Sequence, residues 1–142
     1  MFWQCTMNRI MNKFSTILIF FIFLLSGCEK NININDHFNN KSSLLLTIYK
    51  NDSLTKHTTS TNSQIEISSD KYKKLIQWGN ENTHSWKWTP ASYIADIYVG
   101  QKNFHLITLK NNCVVISFID KDGKSKQYTK TINKDELEFL RY

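Results

Sequence analysis

An uncharged apolar segment near the N-terminus divides this chain into two parts. Residues 14–25 carry no charge and only two hydroxyl groups, and they follow a short basic segment that contains Arg9 and Lys13. The run is too short to cross a bilayer, which takes about 20 apolar residues, and it lacks the polar face of a core helix. A basic segment, an apolar run and small residues at a cleavage site are the pattern of a secretory signal. We therefore predict that residues 1–27 are removed on export.

The residues that end this signal are Leu25, Ser26, Gly27 and Cys28. This sequence resembles the lipobox of bacterial lipoproteins, in which a small residue pair precedes a cysteine. The resemblance implies that the Cys28 thiol receives a diacylglyceryl group, that signal peptidase II cleaves before it, and that the new amine is acylated. Two or three acyl chains anchor a protein stably to a membrane. Since Glu29 follows the cysteine instead of an aspartate, the resemblance favours the outer membrane, with the protein facing the periplasm.

The composition of the mature chain limits its partners and its means of stabilisation. Removal of Arg9 and Lys13, with no acidic residue, lowers the formal net charge from +6 to +4. The lysines are scattered and no arginine cluster exists, which gives no support to a nucleic-acid-binding role. Attraction to anionic lipids or to acidic envelope polymers stays open. Cys113 is the one cysteine besides Cys28, so the core must hold by burial alone, which a domain of about 100 residues can manage.

The mature chain reads as a tether followed by one domain. Residues 28–43 are polar and rich in asparagine, which predicts a flexible tether after the lipidated cysteine. The domain is expected at 44–142, with strands separated by short Asn, Asp and Gly turns. The predicted strands cover residues 44–50, 54–58, 64–67, 93–99, 104–110, 114–119 and 126–132. The last four, joined by short turns, form an antiparallel meander.

One segment between the strands has helical periodicity. Tyr72, Leu75 and Ile76 have i, i+3, i+4 spacing, Ser68 or Ser69 precedes them as a cap, and Gly79 is expected just past the end of the helix. At the C-terminus, Asn133 and Glu136 are spaced as a capping pair for a short final helix that contains Leu137 and Leu140. These elements predict an α+β fold, a small antiparallel sheet of six to seven strands with the main helix packed on one face.

The residues that carry metal and cofactor chemistry are poorly arranged for it. The histidines lie far apart in the sequence, and none is at an i, i+4 spacing or beside a cysteine pair. They are His37, His57, His84 and His105. The turn at Asp120 and Asp122 looks faintly like a calcium loop, but Phe118 occupies the position where such a loop needs an aspartate. We therefore expect no metal and no cofactor.

A thiol site is the strongest enzymatic alternative. Cys113, His105 and Asp96 contain the residue types of a nucleophile, a base and an orienting acid. Cys113, however, begins an apolar strand, where a buried cysteine behaves as a small hydrophobic residue. The expectation is a protein that is not an enzyme, with an envelope-acting enzyme that uses Cys113 as the alternative.

The most unusual part of the mature sequence is its aromatic segment. Trp86 and Trp88 alternate across Lys87, so in an extended segment they share one face, and Tyr93 follows closely. Such residues are enriched at binding interfaces, which makes Trp86, Trp88 and Tyr93 candidates for binding a protein partner. The competing interpretation is that the tryptophans close one end of the core beside Trp78.

Three functional hypotheses follow. The first is a non-enzymatic, protein-binding lipoprotein in the periplasm, with an immunity protein against a secreted toxin as one version of it. The second is a structural or assembly accessory of the cell envelope, and the third is the Cys113 enzyme. The absence of a catalytic motif favours the first.

Overall fold

Seven strands form one antiparallel sheet in the computed structural model, which describes residues 29–39, 41–51 and 57–142. The strands are β1 (Leu44–Asn51), β2 (Thr58–Ile65), β3 (Lys87–Trp88), β4 (Ile97–Gln101), β5 (Phe104–Leu109), β6 (Cys113–Ile119) and β7 (Ser125–Thr131). Their spatial order is β2-β1-β4-β5-β6-β7-β3, and every neighbouring pair is antiparallel. One α-helix, α1 (Asp70–Glu81), connects β2 to β3. The predicted α+β class and the C-terminal four-strand meander, β4 to β7, are confirmed.

The strand boundaries differ from the prediction in three places. Residues 58–65 form one strand that pairs along its whole length with β1, while residues 54–56 of the predicted strand 54–58 lie outside the described residues. The strand predicted at 93–99 begins only at Ile97. The two-residue strand β3 was missed, because its sequence signal is too short to distinguish from a loop.

Side-chain alternation divides the sheet into a core face and a second face. On the core face, β5 contributes Phe104 and Leu106, which lie opposite Phe118 and Ile116 of β6, and all four are buried. Helix α1 packs over this face. Its N-cap is Ser69, whose hydroxyl accepts a hydrogen bond from the backbone N–H of Tyr72 at 3.1 Å. The buried stripe of α1 consists of Tyr72, Leu75, Trp78 and Gly79.

Gly79 lies inside α1, and the prediction that it follows the helix end is wrong. The helix continues to Glu81 and is capped by Asn82. A Cβ atom at position 79 would lie 2.6 Å from Cγ1 of Ile34 and 2.8 Å from Oδ1 of Asn35. The glycine is therefore needed for close packing, since it lets another segment of the chain approach the helix backbone.

That other segment was predicted to be a flexible tether, and in the described residues this prediction is wrong. Ile32, Ile34 and Phe38 are 5%, 0% and 7% exposed, and all belong to the core. A 3₁₀-helix, Ile34–Asp36, packs against α1, and the side chain of Asn35 donates to the Ile76 carbonyl at 3.0 Å. The folded part thus begins near Lys30 and not at Leu44. The sequence signal was misleading because only a few apolar residues stand among many asparagines.

The rest of this segment is held by hydrogen bonds to the sheet. The backbone N–H of Lys30 donates to the Trp86 carbonyl at 2.8 Å, and the Trp86 N–H returns a bond to Lys30 at 3.2 Å. Further along, the Gln101 side chain accepts from the Asn39 N–H and donates to the Ser42 carbonyl, both at 2.8 Å. Contacts to β3, α1 and β4 therefore fix the segment at both ends.

The C-terminal segment closes the other end of the core. The predicted short C-terminal helix is a 3₁₀-helix, Glu138–Leu140, which is preceded by turns. The expected capping contact is present, because the Asn133 N–H donates to the Glu136 carboxylate at 2.8 Å. Leu137 and Leu140 are both buried. These two leucines are thus buried without a regular α-helix.

Residues 89–96 connect β3 at the edge of the sheet to β4 in its middle. The chain must therefore pass β7, β6 and β5. The side chain of Gln127, on the second face of β7, donates to the Ala91 carbonyl at 2.6 Å. Val115, at the centre of the same face, is only 3% exposed. We conclude that the connection crosses the second face and covers its centre.

Cys28 lies outside the described residues, so its predicted acylation stays a prediction. Across residues 29–39, 41–51 and 57–142, the structure contains no helix with the length and apolar character needed to span a membrane.

The packing of the N-terminal segment yields a stability prediction. Ile34→Ala should lower the free energy of unfolding by about 2–5 kcal/mol, because it removes a fully buried side chain from the contact with α1. The measurement is chemical denaturation of the mature domain. Ile94→Ala is the matched control: this isoleucine is 88% exposed, and the change should stay within about 0.5 kcal/mol. Equal effects of the two variants would show that residues 30–38 do not belong to the cooperative core.

Candidate functional site

An open cleft of about 890 Å³ lies between the N-terminal segment and the β6–β7 hairpin. The N-terminal segment forms one wall because Ile32 and Ile34 hold it against the core, which leaves the intervening side chains at the surface. The hairpin forms the other wall. Residues that line the cleft include Lys30, Asp36, His37, Phe118, Ile119, Asp120, Lys121, Lys126 and Tyr128.

The floor of the cleft is a row of aromatic rings. The His37 imidazole stacks on Phe118, with ring centroids 3.6 Å apart and planes 15° apart. Phe118 in turn stacks on Tyr128 at 6.0 Å. Phe118 and Tyr128 lie on adjacent strands, β6 and β7, and both are on the core face. Ile119, which is 48% exposed, adds an apolar group at the margin.

Charged groups of both signs surround this floor. The Lys30 ammonium lies 5.7 Å from the centroid of the Tyr128 ring and 3.5 Å from its hydroxyl. The Asp120 carboxylate lies 3.7 Å from the Lys126 ammonium. The backbone N–H of Lys124 donates to this carboxylate at 2.8 Å, and the N–H of Asp122 does so at 3.0 Å. These bonds and the nearby lysine lower the pKa of Asp120, which keeps it charged at neutral pH.

His37 is the titratable group on the floor of the cleft. Burial lowers the pKa of His37 from its usual value, the Asp36 carboxylate opposes this effect, and the Lys30 ammonium adds to it. The imidazole is therefore neutral at pH 7. A neutral ring is compatible with its stacking on Phe118. A ligand group that contacts His37 would meet an aromatic surface. The charged side chains of the cleft, such as Lys30 and Asp120, lie around it.

The structure separates the three aromatic residues that the sequence marked as a binding site. Trp86 is fully buried, its indole N–H donates to the Asn82 carbonyl at 2.8 Å, and its ring meets Trp78 edge-on at 6.5 Å. Trp86 is thus part of the core, as the competing interpretation had it. Trp88 is 63% exposed. The Tyr93 hydroxyl shares a 2.6 Å hydrogen bond with the Thr89 side chain, so Tyr93 stabilises the crossing segment.

The thiol-site alternative fails on geometry. Cys113 lies opposite Leu109, and His105 is four residues further along β5, which places it about 13 Å away along the strand. His105 packs against Tyr98 instead, with ring centroids 5.5 Å apart. The Asp96 carboxylate forms an ion pair with Arg141. The three groups therefore do not assemble into a nucleophile, base and acid.

Sequence reasoning missed the cleft because half of it comes from residues assigned to the tether. Lys30 and Asp36 were not considered as site residues, and His37 was considered only as a metal ligand. The other half had a weak signal, since Phe118 and Tyr128 flank a hairpin turn rich in charged residues. Within the described parts of the chain, no group of three His, Cys, Asp or Glu side chains is placed to hold a metal ion.

Comparison with known proteins adds no relative from which a role could be transferred. No protein-family model, no curated protein and no solved structure matches the chain. The candidate site therefore rests on its own geometry.

The environment of His37 yields a prediction on pH dependence. Because its pKa in the folded state is below the unfolded value of about 6.5, the unfolded state binds more protons below that pH, and stability should fall as the pH falls through about 6.5. The measurement is an NMR titration of the His37 ring together with the unfolding free energy between neutral and mildly acidic pH.

His37→Gln should reduce this loss of stability on acidification. Asn103→Ala, which removes a non-titrating side chain from the same cleft, should keep the wild-type slope. A His37 pKa at or above its usual value would contradict the buried, stacked environment described above.

Proposed function

We propose that the protein is a lipid-anchored lipoprotein of the bacterial envelope that binds a protein partner through this cleft and catalyses no reaction. The observation that carries the proposal is the aromatic floor ringed by charges of both signs. Protein interfaces have this anatomy: aromatic residues at the centre and a polar, solvent-accessible rim. Sites for small molecules are usually more enclosed and mostly apolar, whereas this cleft is open and has lysines and aspartates along both walls.

The chemistry of the walls favours a partner segment with both apolar and charged groups. Ile119 offers exposed apolar area above a floor formed by Phe118 and Tyr128, which are only 7% and 6% exposed. Lys30 and Lys121 are available to carboxylates of a partner. Asp36 and Asp122 offer the opposite charge to its lysines or arginines. Mixed charges of this kind contribute to specificity and association rate more than to affinity.

An immunity function is the version of this proposal to test first. In it, the anchored protein would bind and block a secreted antibacterial toxin that reaches the periplasm. Proteins of this class are often small, lipid-anchored and free of catalytic motifs, and these are the features expected of this chain. An accessory role in envelope assembly would give a different captured partner, a resident envelope complex.

The anchor can be tested before the partner. We expect the protein from membrane fractions to have an intact mass that begins at residue 28 and includes acyl chains, and to partition into detergent. Cys28→Ala should lack the acyl mass and leave the detergent phase, because no attachment site remains. Cys113→Ala, which removes the other cysteine of the mature chain, should keep both properties. An unmodified mass in the wild type would contradict the lipoprotein proposal.

The cleft can be tested by capture of proteins from envelope extracts, followed by mass spectrometry and affinity measurement. Ile119→Asp should lower the affinity for the captured partner by about tenfold or more, since it replaces the exposed apolar side chain at the margin of the cleft with a charge. Ile94→Asp is the matched control, because Ile94 is exposed outside the cleft. Loss of capture in both variants, or in neither, would contradict binding through the cleft.

A further inference from the structure

The chain enters the domain along the edge of the sheet formed by β3. Lys30 pairs with Trp86 in an antiparallel bridge. One residue earlier, the Glu29 carboxylate lies 3.8 Å from the Lys87 ammonium. Glu29 directly follows Cys28, and consecutive Cα atoms are about 3.8 Å apart. The site of the acyl chains is therefore separated from this edge by a single residue and not by a tether.

The same edge exposes a tryptophan. Trp88 is the last residue of β3, is 63% exposed, and lies opposite Tyr128 of β7. The other two tryptophans of the mature chain, Trp78 and Trp86, are 5% and 0% exposed. The core therefore does not need the Trp88 side chain, which leaves its indole available for contact with another surface.

The surroundings of Trp88 fit a lipid surface. Tryptophan is enriched at the membrane–water interface, where its ring sits at the level of the headgroups. Lys87 is its neighbour on the edge and has a side chain that is 61% exposed, and the mature chain has an excess of positive charge. A lysine close to an anionic membrane surface contributes favourably to binding.

We propose that the β3 edge of the folded domain lies directly on the bilayer, with the Trp88 indole among the lipid headgroups and Lys87 facing anionic phosphates. This inference rests on the proposed acylation of Cys28. In this orientation, successive strands of the sheet lie at increasing distances from the membrane. Its far edge, β2, is six strand spacings away, about 29 Å. The cleft extends from Lys30, which pairs with Trp86 beside this edge, across β7 to β6, so a partner reaches it from the side, close to the membrane.

The test uses the acylated full protein, purified from membranes and reconstituted into vesicles of phosphatidylethanolamine and phosphatidylglycerol. A fraction of the lipid is brominated near the top of the acyl chain and quenches tryptophan fluorescence on contact. We expect one of the three tryptophans of the mature chain to be quenched. Trp88→Phe should reduce quenching to background, because Trp78 and Trp86 are buried.

Two control variants separate docking from simple tethering. In Trp88→Phe combined with Ile67→Trp, the exposed indole moves to the loop after β2, at the opposite edge, and quenching should stay at background. In the second, a flexible Gly/Ser linker inserted between Glu29 and Lys30 keeps the anchor but releases the edge. Quenching of Trp88 should then fall several-fold, and quenching that persists unchanged would contradict the inference that the short connection to Cys28 places this edge on the lipid.

The outcomes distinguish this inference from the proposal on which it rests. An acylated mass with an unquenched Trp88 would overturn membrane docking and leave the lipoprotein proposal intact. Equal quenching of Trp88 and of the indole at position 67 would also overturn it, since the domain would then have no fixed orientation. An unacylated wild-type protein would overturn both.

Discussion

The contact between the N-terminal segment and helix α1 is the interaction on which the rest of the structure depends. Ile34 is completely buried against Gly79, where a Cβ atom would lie 2.6 Å from its side chain. Ile32 and Phe38 extend this packing in both directions. In the part of the chain that the structure describes, a sheet of seven strands with a single α-helix leaves part of its core face to be covered by the N-terminal segment. The segment therefore serves as a second layer element and not as a linker.

Two features follow from that contact. The segment buries Ile32, Ile34 and Phe38, and its remaining side chains, among them Lys30 and His37, form a wall opposite the β6–β7 hairpin. The aromatic floor lies between the two. Because the segment enters along β3, the site of proposed acylation and the exposed Trp88 belong to the same edge. The candidate partner site and the candidate membrane surface are thus two consequences of one packing arrangement.

The opposite edge of the sheet, formed by β2, is polar and exposed. Strand β2 is exposed along nearly its whole length and contains no charged residue and no proline, although edge strands usually carry such residues against unwanted pairing. Its serine, threonine and asparagine side chains keep it polar. In the proposed orientation this edge faces away from the membrane, while the cleft and Trp88 lie close to the membrane.

The sequence by itself determined the elements whose signals are local. Apolar residues defined β5 and β6, and the turn residues defined the meander with β7. The spacing of Tyr72 and Leu75 with the Ser69 cap defined α1. These signals are local, because side-chain period, turns and capping depend only on neighbours in the chain. Only the tertiary structure decided that residues 30–38 pack on the core and that Gly79 lies inside the helix. It also decided that Trp86 is buried while Trp88 is exposed. Each of these depends on burial against residues distant in sequence. A few isoleucines among asparagines indicate a tether until a sheet face is available to bury them.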